Sequence, residues 1–492
     1  MDLILSRWWR RARPCFVVKG MFFEEPCFNS CWGRFSAICR KPGRVSFFGM
    51  SAAHCRISVV IYGTQRETIL ARIGFLILSG AGHLYPSVTL AKALQERGNE
   101  IVFFGVPDVT HVITEQGLNF VPYGFTEYPV GTLQRVRTIG GSLKGQEAIQ
   151  FYLQRAQILA QAAFRDLPQL ISGQKIEALV IDQLFPGGAT VALHLDLPYA
   201  SLANALAVNK ESGVPPPMTS WDYEIGTAAE KRNGDGWQRL KNAHIPLRDF
   251  DNAQRIAWGL DPYEDVWEDS FSSLAQISNQ PKAFDLPRKQ LPANFYYVGP
   301  LFQATSRQLV AFPWERLDGR PLIYASMGTA QNGLEWVFRA ILEACAGLDV
   351  QLILSLGAGV ITADDLDIPA NAIVVPYAPQ PQMLERAAVC ITHAGLNTAL
   401  ESLSHGVPMI AIPITTDQPG VAARIRYTQT GEVIPLEELT AGRLRDLIHK
   451  VMGESSYRER SRALQQAFIA ERPLIRACEI IESKVLSEIR RL

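Results

Sequence analysis

YAPQPQMLERAAVCITHAGLNTALESLSHGVPMIAIPITTDQPGVAAR, running from Tyr377 to Arg424, decides the fold of this 492-residue chain. Ala388 to Thr392 is a short apolar run with β-branched residues, the pattern of a buried parallel strand. His393-Ala394-Gly395 reads as a tight turn. Asn397-Thr398 open a helix predicted to reach about Ser404, with Gly406 just past its end as a C-cap. Val407 to Ile412 is the next buried strand, and Asp417-Gln418 are expected in the loop after it.

Such a turn places free backbone N–H groups at a helix N-terminus, where the partial positive charge favours phosphate. Gly395 lets the backbone come close to a ligand, and His393 can donate a hydrogen bond to a phosphate oxygen. Glu401 follows His393 by eight residues, a little over two helical turns, so both can face one crevice. A carboxylate there suits the two hydroxyls of a ribose. A lone histidine in a βαβ unit is more often structural; the set of polar residues around this one points to a nucleoside diphosphate.

The stretch resembles the donor-binding signature of nucleotide-sugar-dependent glycosyltransferases, the family of plant, macrolide and carotenoid glycosyltransferases. An aromatic followed by Pro-Gln, a His-x-Gly turn, a helical Glu, Gly-Val-Pro and a closing Asp-Gln occur here in that order. The resemblance implies that Tyr377 stacks on uracil and that Gln380 lies near the base and ribose. It implies that His393, Asn397 and Thr398 hold the pyrophosphate, that Glu401 holds the ribose, and that Asp417 and Gln418 read the sugar hydroxyls. Many plant members carry Trp where this chain has Tyr377.

Composition is ordinary for a globular protein, 47% apolar and 20% charged, and the length suits two domains. Net charge is zero, yet residues 1–72 carry 12 Lys/Arg against 4 Asp/Glu, leaving 36 basic and 44 acidic residues beyond them. A main body at −8 argues against nucleic acid as its partner. Cys15, Cys27, Cys31, Cys39 and Cys55 crowd the start without a CxxC pair, so no zinc site is expected. Cys345, Cys390 and Cys478 read as core residues. No disulfide framework and no apolar run of transmembrane length is visible, and a reducing, cytoplasmic setting is expected.

Residues 1–70 show no sustained period, with Arg7, Arg10, Arg11 and Arg13 around Trp8 and Trp9. Two readings stand: a basic, aromatic anchor in peripheral contact with a membrane, and a disordered or non-native extension. The second is preferred, because residues 72–492 by themselves match the size of an enzyme of this family. Arg72 to Leu78 is the first convincing strand. It leads through Gly80-x-Gly82 into a helix stopped at Gly98 and a strand at Ile101–Phe104, a βαβ opening. Pro86 is expected in the first helical turn. His83, at the helix entrance, can face the crevice, and a neutral imidazole suits a general base. Gly124 to Gly145 is a loop-rich segment with several Gly and basic residues, expected to be mobile and near the acceptor. Helical pattern runs from Gln146 to Leu170, and the next strand ends at Asp182.

By resemblance, His83 and Pro86 match the family's catalytic-base entrance, and Asp182 orients that base. The Ser326-Met327-Gly328-Thr329 turn matches the family's Ser-x-Gly turn, with Ser326, Gly328 and Thr329 offered to the pyrophosphate. The segments PYASLANALAVNKE, WDYEIGTAAEKR and Ser272 to Leu301 resemble the carotenoid branch, the zeaxanthin glucosyltransferases. The resemblance therefore implies a GT-B fold of two Rossmann-like doubly wound α/β domains. Residues 71–300 would bind acceptor, 301–313 form a linker, 314–470 bind donor, and 471–492 cross back to the first domain. The expected reaction is inverting transfer of a hexose, glucose first, from a UDP-sugar to a hydroxyl of an apolar alcohol such as a carotenoid. No cofactor and no metal are expected. The alternatives are a glycosyltransferase for a soluble polyketide or flavonoid-like acceptor and a non-catalytic sugar-nucleotide sensor, the last disfavoured by the His83 and Asp182 pair.

Overall fold

The structure, a computed structural model, describes residues 71–489 apart from 142, 144, 304–309, 330–332 and 358–360. Ahead of residue 71 it describes three short strands, Ser36–Cys39, Arg44–Phe48 and Ile61–Tyr62, paired antiparallel. The expectation for the rest of residues 1–70 lies outside the described residues.

From Arg72 onward strands and helices alternate. The first sheet is built from β1 (Arg72–Leu76), β2 (Glu100–Gly105), β3 (Asn119–Pro122), β4 (Ala178–Asp182), β5 (Tyr199–Ala203), β6 (Ala275–Ser278) and β7 (Phe295–Tyr297). They lie in the order β7-β6-β5-β4-β1-β2-β3, and every pairing is parallel. The second sheet has β8 (Leu322–Ser326), β9 (Gln351–Ser355), β10 (Ala372–Val375), β11 (Ala387–Thr392), β12 (Met409–Ala411) and β13 (Gly431–Val433). Its order is β10-β9-β8-β11-β12-β13, again all parallel.

Apolar residues on both faces explain why these strands are central. In β1, Ile73 and Phe75 belong to one buried cluster and Leu76 to another. In β8, Ile323 and Ala325 face one cluster, Leu322 and Tyr324 the other. Side chains alternate across a strand, so such runs need cover on both sides, which helices supply. The helices used below are α1 (Ala81–Glu96), α2 (Thr132–Gly140), α3 (Gly145–Gly173), α4 (Leu396–Ser404), α5 (Gln418–Tyr427) and α6 (Pro473–Ile480). Near the end of the chain, Ala477, Cys478 and Ile480 of α6 join the core of the first sheet. Cys345, Cys390 and Cys478 are buried and unpaired. Among the described residues no helix is long and apolar enough to cross a membrane.

Four local expectations need correction. The strand after Gly406 covers Met409–Ala411 alone. Gln418 is not in a loop: it begins α5, with Asp417 as the cap residue. The segment Gly124 to Gly145 holds the regular helix α2. Pro86 lies inside α1 rather than in its first turn, because the helix already starts at Ala81, with the Gly80 carbonyl accepting from the amides of His83 and Leu84. A proline there leaves the Gly82 carbonyl without its N–H partner four residues on. The Asn397 side chain supplies one instead, its Nδ2 donating to Gly82 O at 2.5 Å.

Candidate active site

In each sheet the first strand in sequence has neighbours that lead off in opposite directions: β1 lies between β2 and β4, and β8 between β9 and β11. Open parallel sheets bind ligands in the crevice at the carboxyl ends of two such strands. His83 follows β1 and Asp182 ends β4. The turn at Ser326 follows β8 and His393 follows β11. The topology therefore collects the sequence candidates at two switch points.

At the first, His83 Nδ1 lies 2.7 Å from Asp182 Oδ2. The Asp182 carboxylate is buried and fully engaged, for Asn204 Nδ2 donates to Oδ2 at 2.9 Å and the Leu184 amide to Oδ1 at 3.0 Å. Ser87 Oγ accepts from Asn204 and donates to the His83 carbonyl, tying the network to the first turns of α1. Burial alone would pull the His83 imidazole down. The Asp182 charge and hydrogen bond, with the Asp417 charge added, carry it above its ordinary value of 6.5. With Nδ1 bound to Asp182, Nε2 is the nitrogen left to meet a substrate.

At the second switch point the His393 ring lies between two glycines. A Cβ built on Gly395 would stand 2.5 Å from its Nε2, and one on Gly328 2.6 Å from the ring. Gly328 takes φ +75° and Ala394 takes φ +62°, a left-handed conformation that costs a non-glycine residue about 1–2 kcal/mol. Burial pushes the His393 pKa down to about 4, against a backbone hydrogen bond with Ser326, so the ring is neutral at pH 7. Its Nδ1 is buried and, among the described residues, without a hydrogen-bond partner. Gly395→Ala is expected to displace the ring and weaken UDP binding about tenfold, from an overpacking cost of about 1–3 kcal/mol. Calorimetric titration with UDP reads this directly, and unchanged affinity would remove His393 from the nucleotide site.

Ser326 Oγ accepts from the Gly328 amide at 3.3 Å, and Thr329 follows, half-buried. Tyr377, past the end of β10, keeps 41% exposure. Gln380 is held on both sides: Tyr324 donates its hydroxyl to Oε1 at 3.0 Å, and Nε2 donates to Glu401 Oε2 at 2.6 Å. Thr398 and Glu401 are buried on α4. Asn397 joins the two halves, since its Oδ1 also accepts from Asn279 Nδ2 at 3.0 Å. Gln418 is buried, and its Oε1 accepts from the amides of Ile414 and Thr415. Asp417 Oδ2 accepts from the Leu206 amide at 3.2 Å, which brings the sugar-reading candidate to the first half of the fold and within electrostatic reach of His83.

Sequence reasoning missed Asn204, Asn279, Ser87 and Tyr324. Asn204 and Asn279 each directly follow a buried strand, β5 and β6. Polar residues at strand carboxyl ends are the signal that could have found them. Among the described residues no group of three or more His, Cys, Asp or Glu is arranged to hold a metal ion.

Two α/β halves meeting at these crevices define a GT-B glycosyltransferase. Residues 272–477 match the family model described as UDP-glucoronosyl and UDP-glucosyl transferase. A zeaxanthin glucosyltransferase from Pantoea ananas is 30% identical over 411 residues, covering 81% of this chain and 93% of the relative. Another from Pseudescherichia vulneris is 29% identical over 405 residues, covering 80% and 94%. Among solved structures, the glycotransferase of kitacinnamycin superposes with a TM-score of 0.65 at 21% identity, covering 84% of this chain and 99% of that one. The chain belongs to the UDP-glucoronosyl and UDP-glucosyl transferase family and is an enzyme that takes a nucleotide-sugar donor.

Proposed function

We propose that the enzyme transfers glucose from UDP-glucose, with inversion, to a hydroxyl of an apolar alcohol of the carotenoid kind. The observation that carries the catalytic part is the 2.7 Å contact between His83 and Asp182 at a strand switch point. His83 Nε2 takes the proton of the acceptor hydroxyl while the acceptor oxygen attacks the anomeric carbon from the face opposite the diphosphate. The bond from that carbon to the phosphate oxygen breaks, and its electron pair leaves with UDP. Asp182 holds the imidazole in orientation and stabilises the imidazolium. Backbone amides of the Ser326–Thr329 turn and of the N-terminus of α4, with His393, meet the charge on the departing diphosphate. Tyr377 walls the base, Gln380 and Glu401 serve base and ribose, Asn397 and Thr398 border the pyrophosphate, and Asp417 and Gln418 lie where the sugar would be read. Residues 71–300 carry the acceptor in this reading and residues 314–470 the donor. Similarity to two zeaxanthin glucosyltransferases supports the apolar acceptor.

The test is UDP release from UDP-glucose with zeaxanthin in detergent, with and without a chelator. Release that depends on zeaxanthin and survives chelation is expected. No zeaxanthin-dependent release, alongside measurable UDP-glucose binding, overturns the carotenoid acceptor and directs the search to soluble alcohols. Release abolished by the chelator overturns leaving-group stabilisation by protein groups alone.

A further inference from the structure

The glycine-rich, basic segment around α2 has no part in the function proposed above. Helix α2 is entered through Gly131 at φ +88° and followed by Gly141. Its end reaches the second half of the fold: a Cβ on Gly333 would lie 3.5 Å from the Gly141 carbonyl oxygen. Gly333 comes shortly after the Ser326–Thr329 turn in sequence, so the end of α2 adjoins the second half of the fold on that side. Arg137, on this helix, is exposed, and no side-chain hydrogen bond or ion pair engages it among the described residues. Its charge is felt across the crevice by Tyr377, whose hydroxyl burial pushes up and Arg137 draws back down. None of the donor-side candidates is Lys or Arg, and His393 is neutral. The facing helix therefore offers a cation that none of the donor-side candidates supplies.

We propose that Arg137 is a nucleotide-binding residue carried by the first half of the fold, with α2 beside the base slot and the guanidinium donating to a carbonyl oxygen of a uracil ring walled by Tyr377. The inference rests on the reading of Tyr377 as the base wall. A guanidinium has five N–H donors and no acceptor. It can donate to either carbonyl oxygen of uracil or stack on the ring face, whereas the corresponding edge of adenine carries an amino donor. An unpaired, exposed Arg137 reaches this contact without breaking an ion pair.

Titration of UDP and ADP against the wild-type chain, Arg137→Ala, Arg137→Lys and Tyr377→Ala tests it, with thermal melts confirming that each variant is folded. Arg137→Ala is expected to weaken UDP about tenfold and ADP by less than about threefold, so that the preference for uracil shrinks. Arg137→Lys should restore only part of that preference, since lysine lacks the planar fork. UDP affinity within about twofold of wild type in Arg137→Ala overturns the proposal. Equal losses for UDP and ADP overturn it too, since they assign the guanidinium to the diphosphate. If Tyr377→Ala weakens UDP and Arg137→Ala does not, this inference alone falls. If neither does, the base does not lie at Tyr377 and the donor map of the proposed function falls with it.

Discussion

His83→Ala is expected to lower kcat by about 100- to 10,000-fold, the usual contribution of a general base, while UDP affinity stays nearly unchanged. Binding should survive because the donor candidates follow the strands of the second sheet, whereas His83 follows β1 of the first. Assays of UDP release and UDP titration on the same preparation separate the two effects, and wild-type turnover in the variant would remove His83 as the base. The wild-type pH profile is a second readout. Transfer requires the neutral imidazole, and Asp182 and Asp417 outweigh burial to raise the His83 pKa above 6.5. The acidic limb of kcat/KM should therefore rise with pH through a midpoint above 6.5. Asp182→Asn should lower that midpoint, because the carboxylate charge that favours the imidazolium is gone.

Arg424→Ala should cost about 3–5 kcal/mol of stability, the range for removing one partner of a buried ion pair. Arg424 is 1% exposed, and its Nε and Nη2 donate to Asp285 Oδ1 at 2.9 and 2.6 Å. Its Nη1 also donates to the Gly420 carbonyl within α5. Asp285 belongs to the segment between β6 and β7, so the pair fastens the first half of the fold to α5. Arg288 and the Tyr297 hydroxyl remain on Asp285 after the substitution, which places the expected cost at the lower end of the range. Burial alone would raise the Asp285 pKa, but Arg424 and Arg288 bring it down to about 2. A carboxylate with a lowered folded-state pKa contributes stability above its unfolded value of 3.8 and loses it as pH falls towards 2. Arg424→Ala raises that pKa, so its acid unfolding should begin at higher pH than in the wild type. Urea unfolding at pH 7 and an acid titration followed by circular dichroism read both effects. A midpoint unchanged at pH 7 would show that the pair contributes no net stability.

Such a loss should reach the site as well as the fold. Asp417 caps the helix that Arg424 anchors, and the Gly420 amide on that helix donates to the Pro217 carbonyl at 3.0 Å. The segment from Leu206 to Pro217 in the first half of the fold thus rests on the helix that begins with the Asp-Gln pair. Leu206 itself lies in a core cluster of the second sheet.

What the chain alone determined is what neighbours in sequence can specify. Strand β11, the turn at His393 and helix α4 are contiguous, and periodicity with turn chemistry announces each. The alternating β and α pattern implied parallel sheets, and parallel sheets put His83, Asp182, Ser326 and His393 at their carboxyl ends. Pro86 was misplaced by one turn because a proline is usually tolerated where its missing N–H would be idle; here the vacated Gly82 carbonyl is taken by Asn397, 315 residues away. Only the tertiary structure decided such contacts. Asp417 meets the Leu206 amide across 211 positions, and Arg424 meets Asp285 across 139. These pairs depend on how two separately wound sheets are set against each other, and that placement is fixed by packed surfaces whose members no local pattern in the sequence brings together.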